Sequence, residues 1–239
     1  VSPDERVDRD YYDRSGYFDE GTAHLTDTAS RFQRYRVRKV LDLYTPAPGE
    51  RMVDLGCGWG TFGFALAPRV AEVVGIDFSE RSVALCERRL AAEPRPNLRF
   101  VCADAGATGL EGGAWDLVLA ADLFEHLYPE DSDRVVREAY RLLRPGGRFA
   151  IWTPHRGHVL EVLKNRNILL KADPTHVDYK SMRRLEDMVR HAGFEVERAY
   201  YAESHLPFLR NVERAFLRWL PPLRRRIAVL ARKPDSAHS

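Results

Sequence analysis

Cysteine is scarce. Three in 239 residues, Cys57, Cys86 and Cys102, make an odd number, scattered rather than paired. That excludes a disulfide framework and implies a reducing, cytoplasmic setting. Long apolar runs are also missing: none approaches the roughly eighteen residues of a membrane-spanning helix. The first residues are rich in Asp and Tyr, not basic and then apolar, so no secretory signal is expected. Charge of one sign is lacking too. Lys and Arg number 37 against 35 Asp and Glu, a net +2, too small a surplus to recruit a nucleic acid. There is no internal repeat, which excludes a solenoid, and no low-complexity segment. What remains is ordinary for a globular protein: 44% hydrophobic and 30% charged residues. One domain over residues 1–239 is the expectation.

The chain is organised around Arg51-Met-Val-Asp-Leu-Gly-Cys-Gly-Trp-Gly60. A short apolar run ends in glycines and gives way to a helix-like run from Thr61 to Val70. Strand, tight turn and helix are the context of a Gly-rich nucleotide turn, in which backbone lies close to a ligand. Gly58, Gly60 and Gly63 spell a literal GxGxxG, the dinucleotide fingerprint. The carboxylates argue for something else. Asp54 lies inside the first strand, and Asp77 ends the next apolar run about twenty residues on, where an acid takes a ribose diol. Asp104 ends a third run, and Asp122 and Glu125 follow a fourth. In an open parallel sheet these strand ends share one crevice. Several negative charges there repel a pyrophosphate. They suit a sulfonium, a ribose and an adenine amine, the profile of S-adenosylmethionine (SAM).

Five stretches in this order resemble the class I SAM-dependent methyltransferases, in the branch with small-molecule and quinone-biosynthesis enzymes. They are Val53-Asp-Leu-Gly-Cys-Gly-Trp-Gly60, Val74-Gly-Ile-Asp-Phe-Ser79, Cys102-Ala-Asp-Ala105, Asp122-Leu-Phe-Glu-His-Leu127 and Leu143-Arg-Pro-Gly-Gly-Arg148. The resemblance covers roughly Tyr35 to Trp152. It implies an α/β, Rossmann-like sheet of seven mostly parallel strands, helices on both faces and the last strand antiparallel. It also implies SAM as methyl donor.

Alternating strand and helix signals agree with that plan. Helices are expected from Ser30 to about Tyr44, from Glu80 to Ala91 behind the N-cap Ser79, from Pro129 to Leu143 and from Ser181 to Ala192. Arg148 to Thr153, Phe194 to Tyr201 and Arg226 to Lys233 complete the strands. Residues 1–45 are expected to form a lid or packing helix, with Val1 to Asp10 mobile and Tyr11 or Tyr12 reaching the cofactor. Two stretches exceed the minimal plan: 154–180, which holds His155, His158 and His176, and 204–225, which mixes Phe208, Val212, Phe216, Leu217 and Trp219 with arginines. Both are expected to set acceptor choice. For 204–225 an amphipathic packing helix, an oligomer surface and contact with a membrane surface stay open. Pro234 to Ser239 are expected to fray.

The resemblance assigns roles residue by residue. Gly56 and Gly58 admit the methionyl part, with Cys57 contributing backbone. Asp54 accepts from the turn or, through water, from the ammonium. Asp77 takes the ribose hydroxyls, beside Ser79. Phe78 packs on the adenine, Asp104 accepts from its amine, and Ala105 lies near the ring. The Ala121 carbonyl faces the ammonium, and Arg36 reaches the methionine carboxylate. Asp77→Ala is expected to weaken SAM binding and leave the fold intact. Transfer is expected by in-line displacement, with a general base only for a hydroxyl or protonated amine. The base candidates are His155 first, then His126, with His158, His176, Glu125 and Asp122 behind. His155 and His158 lack a companion thiolate or carboxylate cluster, so no metal is expected. The acceptor is a small molecule bearing oxygen or nitrogen, of aromatic, polyketide, glycosidic or lipid-like kind. A nicotinamide oxidoreductase and a SAM-binding protein without transfer are the competing functions. Base methylation of nucleic acid is disfavoured, since Ala121-Asp-Leu-Phe124 stands where an Asn/Asp-Pro-Pro-aromatic motif would be.

Overall fold

The computed structural model describes residues 6–14, 17, 27, 30–165, 173–203, 207–216 and 219–235. Val1 to Glu5, Leu217, residues 236–239 and parts of the stretches 1–45, 154–180 and 204–225 named above lie outside them, as does the side chain of Phe208.

Helices α1 (Arg9–Arg14) and α2 (Arg31–Leu43) precede the sheet. Then come β1 (Arg51–Leu55), α3 (Thr61–Leu66), β2 (Glu72–Asp77), α4 (Glu80–Ala92), β3 (Leu98–Cys102) and β4 (Trp115–Ala121). The second half adds α5 (Pro129–Leu142), β5 (Leu143–Pro154), α6 (Val159–Asn165), α7 (Met182–His191), β6 (Glu195–Ala202), α8 (Pro207–Phe216) and β7 (Arg226–Arg232). The strands form one seven-stranded sheet in the order β3-β2-β1-β4-β5-β7-β6. The first five run parallel, and β7 runs antiparallel to both its neighbours.

Period-two alternation on the strands separates two cores. Leu117 and Leu119 of β4, with Ala228 and Leu230 of β7, face α2, α3 and α4 through Tyr35, Phe64, Leu66 and Val83. Val118 and Ala120, with Ile227 and Val229, face α5 and α7 through Val135, Ala139, Leu185 and Val189. Helices therefore cover both faces, as parallel strands require. Ser30, Ser79 and Ser181 each accept a first-turn backbone N–H, which starts α2, α4 and α7 where the sequence predicts.

Three local expectations are corrected. Helix α3 stops at Leu66 because Pro68 converts the next turn to 3-10. Pro145 to Gly147 is an irregularity inside β5: pairing with β4 jumps from Trp115–Leu143 to Leu117–Arg148. The start of the chain is not loose throughout. Val7 is buried, its N–H donates to the Tyr128 hydroxyl at 3.2 Å, and Arg6 pairs with Glu130 and Asp131.

The two extra stretches pack on each other. His158, at the start of α6, and Glu213 of α8 are both fully buried and 2.9 Å apart, and Arg225 reaches Glu161 at 2.7 Å. Val212, Phe216, Trp219 and Leu220 stand exposed. Among the described residues no helix is long and apolar enough to cross a membrane.

Candidate active site

The ends of β1, β2 and β4 open into a cavity of about 570 Å³, within the size range of small-molecule sites. Gly56, Cys57, Gly58, Asp77, Phe78, Asp104, Ala105, Ala121 and Arg36 line it. Gly56 and Gly58 take φ of 70° and 52°, the left-handed region that favours glycine. A Cβ on Gly56 would also come within 2.8 Å of Leu123.

Hydrogen bonding in this turn separates the two cofactor classes. The Cys57 amide donates to the Ile76 carbonyl, the Gly60 amide to the Cys57 carbonyl, and the Gly58 amide to the Asp77 carboxylate at 2.9 Å. A pyrophosphate needs such amides aimed at itself. Here three of them are committed to protein oxygens, and a carboxylate stands where phosphate would lie. A donor with a cationic sulfonium and ammonium fits these residues better. Asp54, in β1 before the turn, is not among the lining residues: it is 1% exposed, and its Oδ2 lacks a hydrogen-bond partner among the described residues. Burial pushes its carboxyl up to about 7, against the opposing pull of Arg36. Burial also raises Asp77, although amides of Ser79 and Gly58 hold it down.

Other expected contacts are placed differently. The Arg36 guanidinium is held by Asp122, at 2.6 Å, over the Phe62 ring. Arg226 grips the same carboxylate from the other side. Burial alone would raise Asp122, but Arg226 and Arg36 outweigh it and the acid is lowered. Asp122 also has φ 57°, an uncommon strain for a residue with a Cβ. Asp104 is exposed, accepts from the Gly106 amide at 2.7 Å and pairs with Arg134 at 2.7 Å. Ser79 is fully buried as the α4 cap and donates to Asp13 at 2.5 Å, outside the lining. Arg31, Arg34 and Arg38, on α2 with Arg36, are exposed.

At the N-terminal segment the lining aromatics are Tyr12 and Tyr17, not Tyr11. Tyr12 packs edge-on to Phe78 at 5.3 Å and to Tyr17 at 4.9 Å, and Tyr17 lies 5.6 Å from Trp59. Tyr17, Phe32 and Phe62 lie in no motif; only the fold brings them beside Trp59 of the glycine turn.

The histidines are reordered. His155, the first choice as base, is not among the lining residues. Its Nδ1 lies 3.1 Å from the Arg224 carbonyl and its ring packs on Tyr201, while burial lowers its pKa. His126 and His176 do line the cavity, with Glu125 and Asp173. Glu125 is 1% exposed and accepts from the Thr153 hydroxyl at 2.9 Å; burial first, then Asp122, pushes it up to about 8. Lys180, fully buried, donates to the carbonyls of Phe124, Leu127 and Asp178, which fixes the loop carrying Glu125 and His126.

The chain is similar to known methyltransferases. Residues 52–147 match a family model described as a methyltransferase domain. The chain is 33% identical over 153 residues to a demethylmenaquinone methyltransferase of Beutenbergia cavernae, covering 62% of this chain and 61% of the relative. It is 31% identical to a ubiquinone biosynthesis O-methyltransferase of Pseudomonas aeruginosa, covering 62% and 66%. The chain thus spans under two thirds of the length of these curated relatives. A phosphoethanolamine N-methyltransferase 2 of Haemonchus contortus, solved with SAM, superposes over 95% of this chain and 60% of its own with a TM-score of 0.69. At 19% identity that likeness carries the fold.

Proposed function

We propose that this chain, whose residues 52–147 match a methyltransferase domain, is a class I SAM-dependent methyltransferase that transfers the SAM methyl group to an oxygen or nitrogen of a small-molecule acceptor. The observation that carries the reading is the glycine turn whose amides are held by Asp77 and protein carbonyls, above the orphaned buried oxygen of Asp54. When bound, SAM supplies a sulfonium methyl that the acceptor's nucleophile displaces in line. The protein's part is to hold the two groups in line and keep water out.

In this reading Asp77 and Asp104 mark the ribose and adenine end, with Phe78 beside the ring. Gly56, Cys57, Gly58, Ala121 and Asp54 surround the methionyl part, and Tyr12 and Tyr17 close over it. Arg36 acts through Asp122, which it and Arg226 hold at the mouth of β4. The acceptor lies toward Glu125, His126 and His176, and that group handles the acceptor's proton. Residues 6–14 with Tyr17 serve as lid and the described parts of the two extra stretches as acceptor wall within one domain. Exposed Val212, Phe216, Trp219 and Leu220, beside half-buried Arg210 and Arg224, support contact with a membrane surface, from which an apolar acceptor would arrive.

Calorimetry with S-adenosylhomocysteine (SAH) and with NADH tests the cofactor class: heat with SAH and none with NADH is expected, and the reverse overturns it. Labelled-methyl transfer from SAM to hydroxylated aromatics and quinols tests the chemistry. SAH binding without transfer to any acceptor would favour a SAM-binding protein of other function.

A further inference from the structure

The acceptor end of the cavity holds a group of side chains that methyl transfer does not by itself require. Glu125 and His126 sit side by side on the 3-10 turn after β4, and His176 comes from the segment returning after α6. One ligand atom from each lies within 4.8 Å of the other two. Metal–ligand bonds of about 2.1 Å place neighbouring ligand atoms roughly 3–4 Å apart, so a small closing movement completes a site.

The surrounding hydrogen bonds fix which atoms face inward. His126 Nδ1 lies 3.0 Å from both the Thr175 carbonyl and the Tyr12 hydroxyl; a proton on Nδ1 satisfies the carbonyl, and in that tautomer Nε2 is the ligating nitrogen. His176 Nδ1 lies 2.7 Å from the Tyr179 hydroxyl, whose own hydrogen goes to Glu161 at 3.1 Å. That hydroxyl therefore accepts from Nδ1, and His176 Nε2 is again the basic nitrogen. Glu125 receives the Thr153 hydroxyl on Oε2, which leaves Oε1 to the group. Imidazoles anchored through N–H to a carbonyl and a hydroxyl, with a carboxylate anchored by a hydroxyl, are the outer supports that metal ligands use. Asp173, whose Oδ1 accepts from the Thr175 amide and hydroxyl, places its Oδ2 3.6 Å from His176 Nε2.

We propose that Glu125, His126 and His176 bind one divalent transition-metal ion, assisted by Asp173, at the acceptor end of the cavity. Two imidazoles with a carboxylate select zinc, manganese, iron or cobalt over magnesium, which prefers oxygen throughout. The ion is an anchor for an acceptor oxygen, and it lowers the pKa of a bound hydroxyl. This rests on the methyltransferase reading for its role, though not for its existence.

Tag-free protein, stripped with chelator and dialysed, is titrated with Zn²⁺ and with Mn²⁺ by calorimetry, and SAH is titrated separately. One ion per chain, at least a hundredfold weaker binding in His176→Gln and in Glu125→Gln, and about tenfold weaker binding in Tyr179→Phe are expected. Visible absorption of a Co²⁺ adduct, lost in His176→Gln, is the spectroscopic counterpart. SAH affinity within about twofold of the parent shows that each variant is folded. Failure to bind either ion while SAH binds normally overturns the site, as does a His176→Gln variant that binds the ion unchanged. Metal binding without SAH binding would instead leave the site standing and remove the methyltransferase reading.

Discussion

The Asp77 carboxylate already accepts from the amides of Gly58 and Ser79, so a ribose must use its remaining lone pairs. Asp77→Ala should therefore weaken SAH binding by tenfold to a hundredfold, about 1.5–3 kcal/mol, by calorimetry. Contrary to the sequence expectation, it should also lower the melting temperature, because two turn amides lose their acceptor. Asp54 gives a pH signature. Its folded pKa is raised to about 7, so the native state binds the proton more tightly than the unfolded chain. That contribution is complete below the unfolded value of roughly 4 and is lost as pH rises through about 7, at most roughly 4 kcal/mol. Urea denaturation at pH 5 and pH 8 should show a smaller loss in Asp54→Asn than in the parent. SAH, which carries an ammonium, should bind the parent more tightly as pH rises through that range and Asp54→Asn with a flatter profile. His155→Ala should leave turnover within about twofold, since its ring packs on Tyr201 outside the cavity. His126→Ala should lower it at least about a hundredfold.

At the scale of elements, the loop after β4 matters most. Its conformation is imposed by Lys180, whose ammonium is buried on three carbonyls, and by the Asp178 amide that donates to the Glu125 carbonyl at 3.3 Å. Lys180→Met should remove about 3 kcal/mol of stability by leaving buried carbonyls unpaired. It should also raise hydrogen exchange across residues 122–128 more than across β1. The helix starts were legible because Ser30, Ser79 and Ser181 act on their own next turn. Lys180 carried no such signal: its partners lie 53 and 56 positions away. The same holds for the buried His158–Glu213 pair, which joins two stretches that sequence could only set apart as extra.

For the whole molecule, ligand binding should report as stability. SAH at a hundred times its dissociation constant adds about 2.7 kcal/mol. For a chain of 239 residues that is a rise of about 5–10 °C in melting temperature, read by thermal scanning. NADH at the same concentration should give none. The rise should be accompanied by exchange protection of residues 6–14, since Tyr12 spans the cavity between Phe78 and His126 and packs on Tyr17.

Sequence alone determined the alternation of strand and helix, the glycine turn and the acids at the strand ends, and so the cofactor class. Those signals are local: a turn needs its glycines within a few residues, and a strand shows its two faces by alternation. Tertiary structure alone decided which histidine meets the cavity, which tyrosines close it, and that Arg36 and Arg226 share Asp122. These depend on where separate segments cross above the sheet. Side chains 50 to 100 positions apart become neighbours there through packing, and no spacing in the chain records it.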